Sequence, residues 1–172
     1  ALMSMTEISI QMFEESLAAQ TEPALNNIDC YFYGDYLKTR YLYADTITPL
    51  LRLTRFTHPK RLVFANGVFY REGFETLLQF MNQNKEYYQD LEYFEVSRSK
   101  IHAYAGDTTE EALTTLTNNI IAHLQEMCNV NNYPKLTKMV FNNNGYNEDT
   151  NHAFQTRILE ACNNTHVTVI AE

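Results

Sequence analysis

No run of apolar residues in this chain approaches the roughly 18 that a membrane-spanning helix needs. Nor does a basic, apolar, small-residue pattern of a secretory signal open it. The familiar catalytic motifs are missing as well. There is no G-x-x-x-x-G-K and no G-x-G-x-x-G, so nucleotide phosphates lack their usual cradle. G-x-S-x-G is absent, which removes a nucleophile elbow. The histidines His58, His102, His123, His152 and His166 form neither H-x-x-x-H nor H-E-x-x-H. Cys30, Cys128 and Cys162 include no C-x-x-C, so neither a zinc site nor a disulfide framework is indicated. Widely spaced cysteines in odd number favour a reducing intracellular compartment, cytoplasmic or nuclear. The chain therefore reads as a non-enzyme, with no catalytic, cofactor-binding or metal-binding residue.

What is present is apolar material for one core: 45% of 172 residues, enough for a single domain. Acidic residues outnumber basic ones, 21 to 13, and the net charge of −8 disfavours DNA and anionic membranes as partners. The charge is unevenly placed. Residues 1–35 hold Glu7, Glu14, Glu15, Glu22, Asp29 and Asp35 without a lysine or arginine. Residues 36–71 hold Lys38, Arg40, Arg52, Arg55, Lys60, Arg61 and Arg71 against Asp45 alone. A solvated face accounts for such segregation. The alternative is an RNA-binding patch over 38–61.

Hydrophobic spacing divides the chain into alternating elements. From Thr6 to Gln20, Ile8, Met12, Phe13 and Leu17 suggest an amphipathic helix, closed by Pro23. Residues 1–27 are expected to cap the core that follows. Ile28–Tyr33 is aromatic enough for a strand. Thr48-Pro49 reads as an N-cap with proline in the first helical place, and His58-Pro59 ends that helix. After a strand at 60–64 and the Asn66-Gly67 turn, Phe74, Leu77, Leu78 and Met81 mark a clear amphipathic helix. A strand at 91–96 precedes a helix capped at Thr108 or Thr109, with Glu110 and Glu111 in its first turn and Leu113, Leu116, Ile120, Leu124 and Met127 as its stripe. The last unit runs from a strand at Leu136–Phe141 through a helix near 150–162 to a short strand at 167–170.

Leu136, Met139, Phe141 and Asn144 follow the spacing L-x-x-L-x-L-x-x-N, in which the asparagine turns the chain by bonding backbone beyond the strand. Leu91, Phe94, Val96 and Ser99 repeat the spacing, and Ile28, Tyr31, Tyr33 and Tyr36 give a degenerate copy. Taken at the second apolar place, the series is Tyr31, Leu62, Phe94, Met139 and Val167, at intervals of 31, 32, 45 and 28 residues. Residues 28–172 resemble the ribonuclease-inhibitor-like leucine-rich repeats, whose strand–helix units stack in a parallel sheet. Tyrosine, phenylalanine, methionine and valine stand where that family favours leucine, and only Asn144 supplies the asparagine. Irregular repeats of this kind occur in the substrate-receptor parts of some F-box proteins; no F-box-like segment is read here.

The resemblance implies an α/β fold: a short leucine-rich-repeat-like solenoid with strands in sequential order, helices on the outer face and a concave sheet for a partner protein. That makes the chain a scaffold or adaptor, with Phe32, Arg61, Val63, Tyr93, Glu95, Lys138 and Val140 as partner-binding residues. The strand at Val167–Ile170 is expected to pair at its edge with a second copy or another chain. The rival is a small doubly wound α/β enzyme, with Asn66, Ser97, Arg98 and Asn142 to Asn144 converging at the strand ends.

Overall fold

The structure, a computed structural model, describes residues 5–19, 27–33, 44–102, 108–145 and 151–172. In chain order the described elements are α1 (Met5–Ala18), β1 (Cys30–Tyr33), α2 (Ala44–Arg52), α3 (Thr54–Thr57), β2 (Arg61–Ala65), α4 (Tyr70–Gln83), a short 3₁₀ helix (Lys85–Tyr88), β3 (Tyr93–Ser97), α5 (Glu110–Met127), β4 (Lys138–Val140), α6 (His152–Glu160) and β5 (Thr168–Ile170). The five strands form one sheet in the order β1-β2-β3-β4-β5, and every pairing is parallel. A right-handed crossover places each connecting helix on the same side unless the strand order reverses. Here it never reverses, so these strands provide no switch-point crevice of the kind doubly wound enzymes use.

The helices α2, α4, α5 and α6 pack on one side of the sheet. Ile47 and Leu51 of α2, the Phe74, Leu77, Leu78 and Met81 stripe of α4, Ile120, Leu124 and Met127 of α5, and Phe154 and Ile158 of α6 enter one buried cluster. From the sheet this cluster takes Leu62, Phe64, Phe94, Val96, Met139 and Phe141, the alternate residues of β2, β3 and the β4 segment. Phe141 joins the layers, edge-on to Phe74 at 5.4 Å and to Phe94 at 5.9 Å. The helices pack one on the next in chain order, α1 on α2, α2 on α4, α4 on α5 and α5 on α6. Thr109 caps α5 as its sequence predicts, its hydroxyl accepting from the Ala112 N–H at 3.1 Å. No helix among the described residues is long and apolar enough to cross a membrane.

Asn144 is fully buried and bridges two strands. Its Oδ1 accepts from the Ser99 N–H and its Nδ2 donates to the Val96 carbonyl, each at 2.8 Å. The chain must turn just after β3 and β4, and Arg98 and Asn143 take left-handed φ of 52° and 56° there. One buried amide side chain satisfies two backbone groups that the turn would otherwise strand.

Four expectations need correction. The strand register differs at both ends of the sheet: Cys30, not Tyr31, is level with Leu62, and Val169, not Val167, with Met139. The level row Cys30, Leu62, Phe94, Met139 and Val169 has spacings of 32, 32, 45 and 30 residues, more even than the series read from apolar residues alone. Pro49 lies inside α2, which starts at Ala44; a helix this short tolerates the lost N–H, and Ile47 and Leu51 still point to the core. Met12 and Phe13 of α1 are 64% and 49% exposed rather than buried, while Glu14 of the same helix pairs with Arg52 of α2 at 3.3 Å. Cys128, next after α5, and Cys162, beyond α6, are joined in a disulfide, with Cα atoms 5.6 Å apart. Helix packing brings together two cysteines 34 residues apart, a pairing that sequence spacing does not reveal.

Candidate interaction face

Strand alternation sends every second side chain away from the helices. The parallel register lines these up in two rows. Arg61, Tyr93, Lys138 and Thr168 form the first. Tyr31, Val63, Glu95, Val140 and Ile170 form the second. Of the residues expected on a binding face, Arg61, Val63, Tyr93, Glu95, Lys138 and Val140 share this side, which is helix-free with respect to α2, α4, α5 and α6. Phe32 does not. It is level with Phe64, packs against the buried cluster and stacks on the Phe64 ring at 5.1 Å. The one-residue register error at β1 exchanges Phe32 for Tyr31, since a shift of one turns a side chain to the opposite face.

At the centre sits a linked group of three. The Arg61 guanidinium lies over the Tyr93 ring, 4.0 Å from its centroid. The Tyr93 hydroxyl donates to Glu95 Oε1, two residues along the same strand. Partial burial, this hydrogen bond and the nearby Glu95 charge push the Tyr93 pKa up to about 12, with Arg61 pulling against them. The cluster thus holds a neutral tyrosine between a cation and a carboxylate. Val63 and Val140 are only 5% and 6% exposed although they point away from the core; each has Glu95 beside it in the row.

The register also adds residues that sequence reasoning missed. Tyr31 and Tyr33 project from β1, 46% and 63% exposed, with parallel rings 6.4 Å apart. Their signal was legible, two aromatics at strand spacing, but the misplaced register assigned Tyr31 to the core. Ile170 stands at the far end of the second row.

Of the two edge strands, β1 and β5, β5 is the one expected to pair with another chain. Thr168 N donates to the Thr137 carbonyl at 2.9 Å, and the Ile170 carbonyl accepts from Phe141 N at 2.7 Å, so even-numbered residues face β4. The N–H and C=O of Val169 then point away from the sheet. Flanking groups on the same edge have partners: Thr165 Oγ1 accepts from Val167 N at 3.2 Å, and Gln155 Nε2 donates to the Ala171 carbonyl at 2.6 Å.

The residues of the rival enzyme reading do gather at the C-terminal strand ends, where they bond backbone. Ser97 Oγ accepts from Asn142 N at 3.1 Å, and Asn142 Oδ1 accepts from Glu172 N at 3.0 Å. Asn66 N donates to the Ser97 carbonyl and Arg98 N to the Asn142 carbonyl. The basic stretch is divided. Arg52 and Arg55 lie on α2 and α3 and Arg61 on the helix-free face, while Lys38 and Arg40 lie outside the described residues. Cys30 is buried, its thiol 3.3 Å from Thr57 Oγ1, and burial pushes its pKa up, which suppresses the nucleophilic thiolate. Comparison with protein-family models, with curated proteins and with solved structures returns no match.

Proposed function

We propose that this chain is a non-catalytic protein-interaction module, a short leucine-rich-repeat-like solenoid that holds a partner protein against its helix-free sheet face. The observation that carries the reading is the Arg61–Tyr93–Glu95 cluster, with Tyr31 and Tyr33 beside it, on the side of the sheet opposite to the one that α2, α4, α5 and α6 cover. Tyrosine and arginine supply most binding energy at protein interfaces, because they combine large contact area with directed hydrogen bonds. Parallel strands fix such side chains in rows, so a partner pays little to order them. An intracellular setting, cytoplasmic or nuclear, is the finer part of this reading, and the Cys128–Cys162 disulfide weighs against it, because reducing compartments rarely keep such bonds.

Affinity capture with the full chain, mass-spectrometric identification of what is retained, and titration of each purified candidate test this. A partner that uses the face binds the native chain and loses about tenfold or more in affinity to a Tyr93→Ala, Glu95→Ala double variant. Equal binding by native and variant chains overturns the proposal. Val169→Pro, which removes only an outward N–H, separates out pairing at the β5 edge by a second copy or another chain. A partner lost to that variant alone belongs to the edge.

A further inference from the structure

The chain carries a net charge of −8, and three of its basic side chains pair with described carboxylates: Arg52 with Glu14, Lys85 with Glu126 and Lys135 with Asp90. Arg61 and Lys138, both exposed, form no ion pair with a described residue. They stand in one register row on either side of Tyr93. At about 4.8 Å between neighbouring strands, their backbones lie roughly 10 Å apart. Two carboxylates close to Arg61 in the fold are otherwise engaged. Asp29 Oδ1 accepts the Arg61 backbone N–H at 3.0 Å rather than its guanidinium, and Glu95 Oε1 accepts the Tyr93 hydroxyl. Stacking on Tyr93 also holds the Arg61 fork flat, so less side-chain freedom remains to be lost when it meets a carboxylate.

We infer that the polypeptide held against this face is acidic: an extended segment with carboxylates two residues apart, one meeting Arg61 and the other Lys138, and an apolar or aromatic side chain set on Tyr31 and Tyr33. Side chains two apart on a strand project about 7 Å from one another on the same side, within reach of both cations. On a protein that is acidic overall, two unpaired cations across one sheet face steer an acidic segment to this place and repel a basic one. The inference rests on the reading of the face as a protein-binding surface and names the chemistry of the segment bound there.

The test uses the full chain as bait for random peptides displayed on phage. The recovered peptides are expected to be rich in aspartate and glutamate. Their affinity falls about tenfold or more for an Arg61→Glu, Lys138→Glu double variant and returns when the peptide carboxylates are changed to lysine. Both substituted residues are exposed, and circular dichroism checks that the fold is kept. Peptides indifferent to that variant but lost to Tyr31→Ala, Tyr33→Ala overturn the acidic segment and leave the interaction face standing. Recovery of no binder, or indifference to both variants, overturns both. A random-sequence RNA oligonucleotide that binds more tightly than any selected peptide, and needs the same two cations, overturns the inference in favour of nucleic acid.

Discussion

On the helix side of the sheet, Leu62, Phe94 and Met139 stand level in neighbouring strands, and none of them has any solvent exposure. One residue along each strand the row changes to Val63, Glu95 and Val140, extended by Tyr31 at 46% exposure and by Ile170. The backbone, hydrogen bonds and register are shared; only the side chains differ. The first row is interchangeable apolar bulk, whose worth is area removed from water and close packing. The second shares its side of the sheet with the row of Arg61, Tyr93 and Lys138, where a cation lies over an aromatic ring that is hydrogen-bonded to the Glu95 carboxylate, an arrangement that a core has no use for. The difference teaches where to look on a sheet of this kind: core packing sits in one residue parity and the chemistry proposed for recognition in the other.

The comparison breaks first, and by most, at the core. Phe94→Ala removes a fully buried ring that is edge-on to Phe141, and about 3–5 kcal/mol of unfolding free energy should go with it, measured by chemical denaturation. A loss below about 1 kcal/mol would mean that the helices do not close over the sheet as described. Asn144→Ala comes next. It leaves the Val96 carbonyl and the Ser99 N–H in the interior without their partner, at an expected cost of about 2–3 kcal/mol in the same measurement. Asn144→Asp keeps the acceptor for Ser99 and loses the donor to Val96, so it should also destabilise. An Asn144→Ala chain as stable as the native one would remove the bridge between β3 and β4.

Much of the helix side was readable because its signals are local and periodic. Phe74, Leu77, Leu78 and Met81 declare one buried face at helical spacing, and Leu136, Met139, Phe141 and Asn144 declare a strand with its turn. Sequential strand order was implied by the resemblance to leucine-rich repeats, since alternating strands and helices alone fit a doubly wound sheet as well, and the sheet has that order. The helix-free face was legible only where a strand's parity could be fixed independently. In β2, β3 and β4 strong apolar residues alternate, and Arg61, Val63, Tyr93, Glu95, Lys138 and Val140 fell on the same side. In β1 the run Cys30-Tyr31-Phe32-Tyr33 is apolar or aromatic at every place, so hydrophobicity cannot choose between the two parities, and the wrong one was taken. Cys128 and Cys162 were illegible for another reason. Their approach depends on how α5 and α6 lie together, a tertiary fact with no local sequence trace.

The smallest expected effect tests the recognition side alone. A tyrosine whose folded pKa is raised favours the folded state below its ordinary value, and that contribution is lost as the pH climbs from 10.0 toward about 12. Because Tyr93 is partly exposed, solvent screens the charges around it and the stability change should be slight. Its titration is the better readout. Among 12 tyrosines, the difference in ultraviolet phenolate absorbance between the native chain and Tyr93→Phe isolates this one. Its midpoint should fall near 12 in the native chain and drop in Glu95→Gln, which removes the neighbouring negative charge. Arg61→Ala should move it the other way, because the guanidinium over the ring favours the phenolate. A Tyr93 that titrates at an ordinary value and ignores both substitutions would mean that the three side chains are not linked in solution. The helix-free face would then keep its position in the fold and lose the only chemistry that distinguishes it from exposed strand.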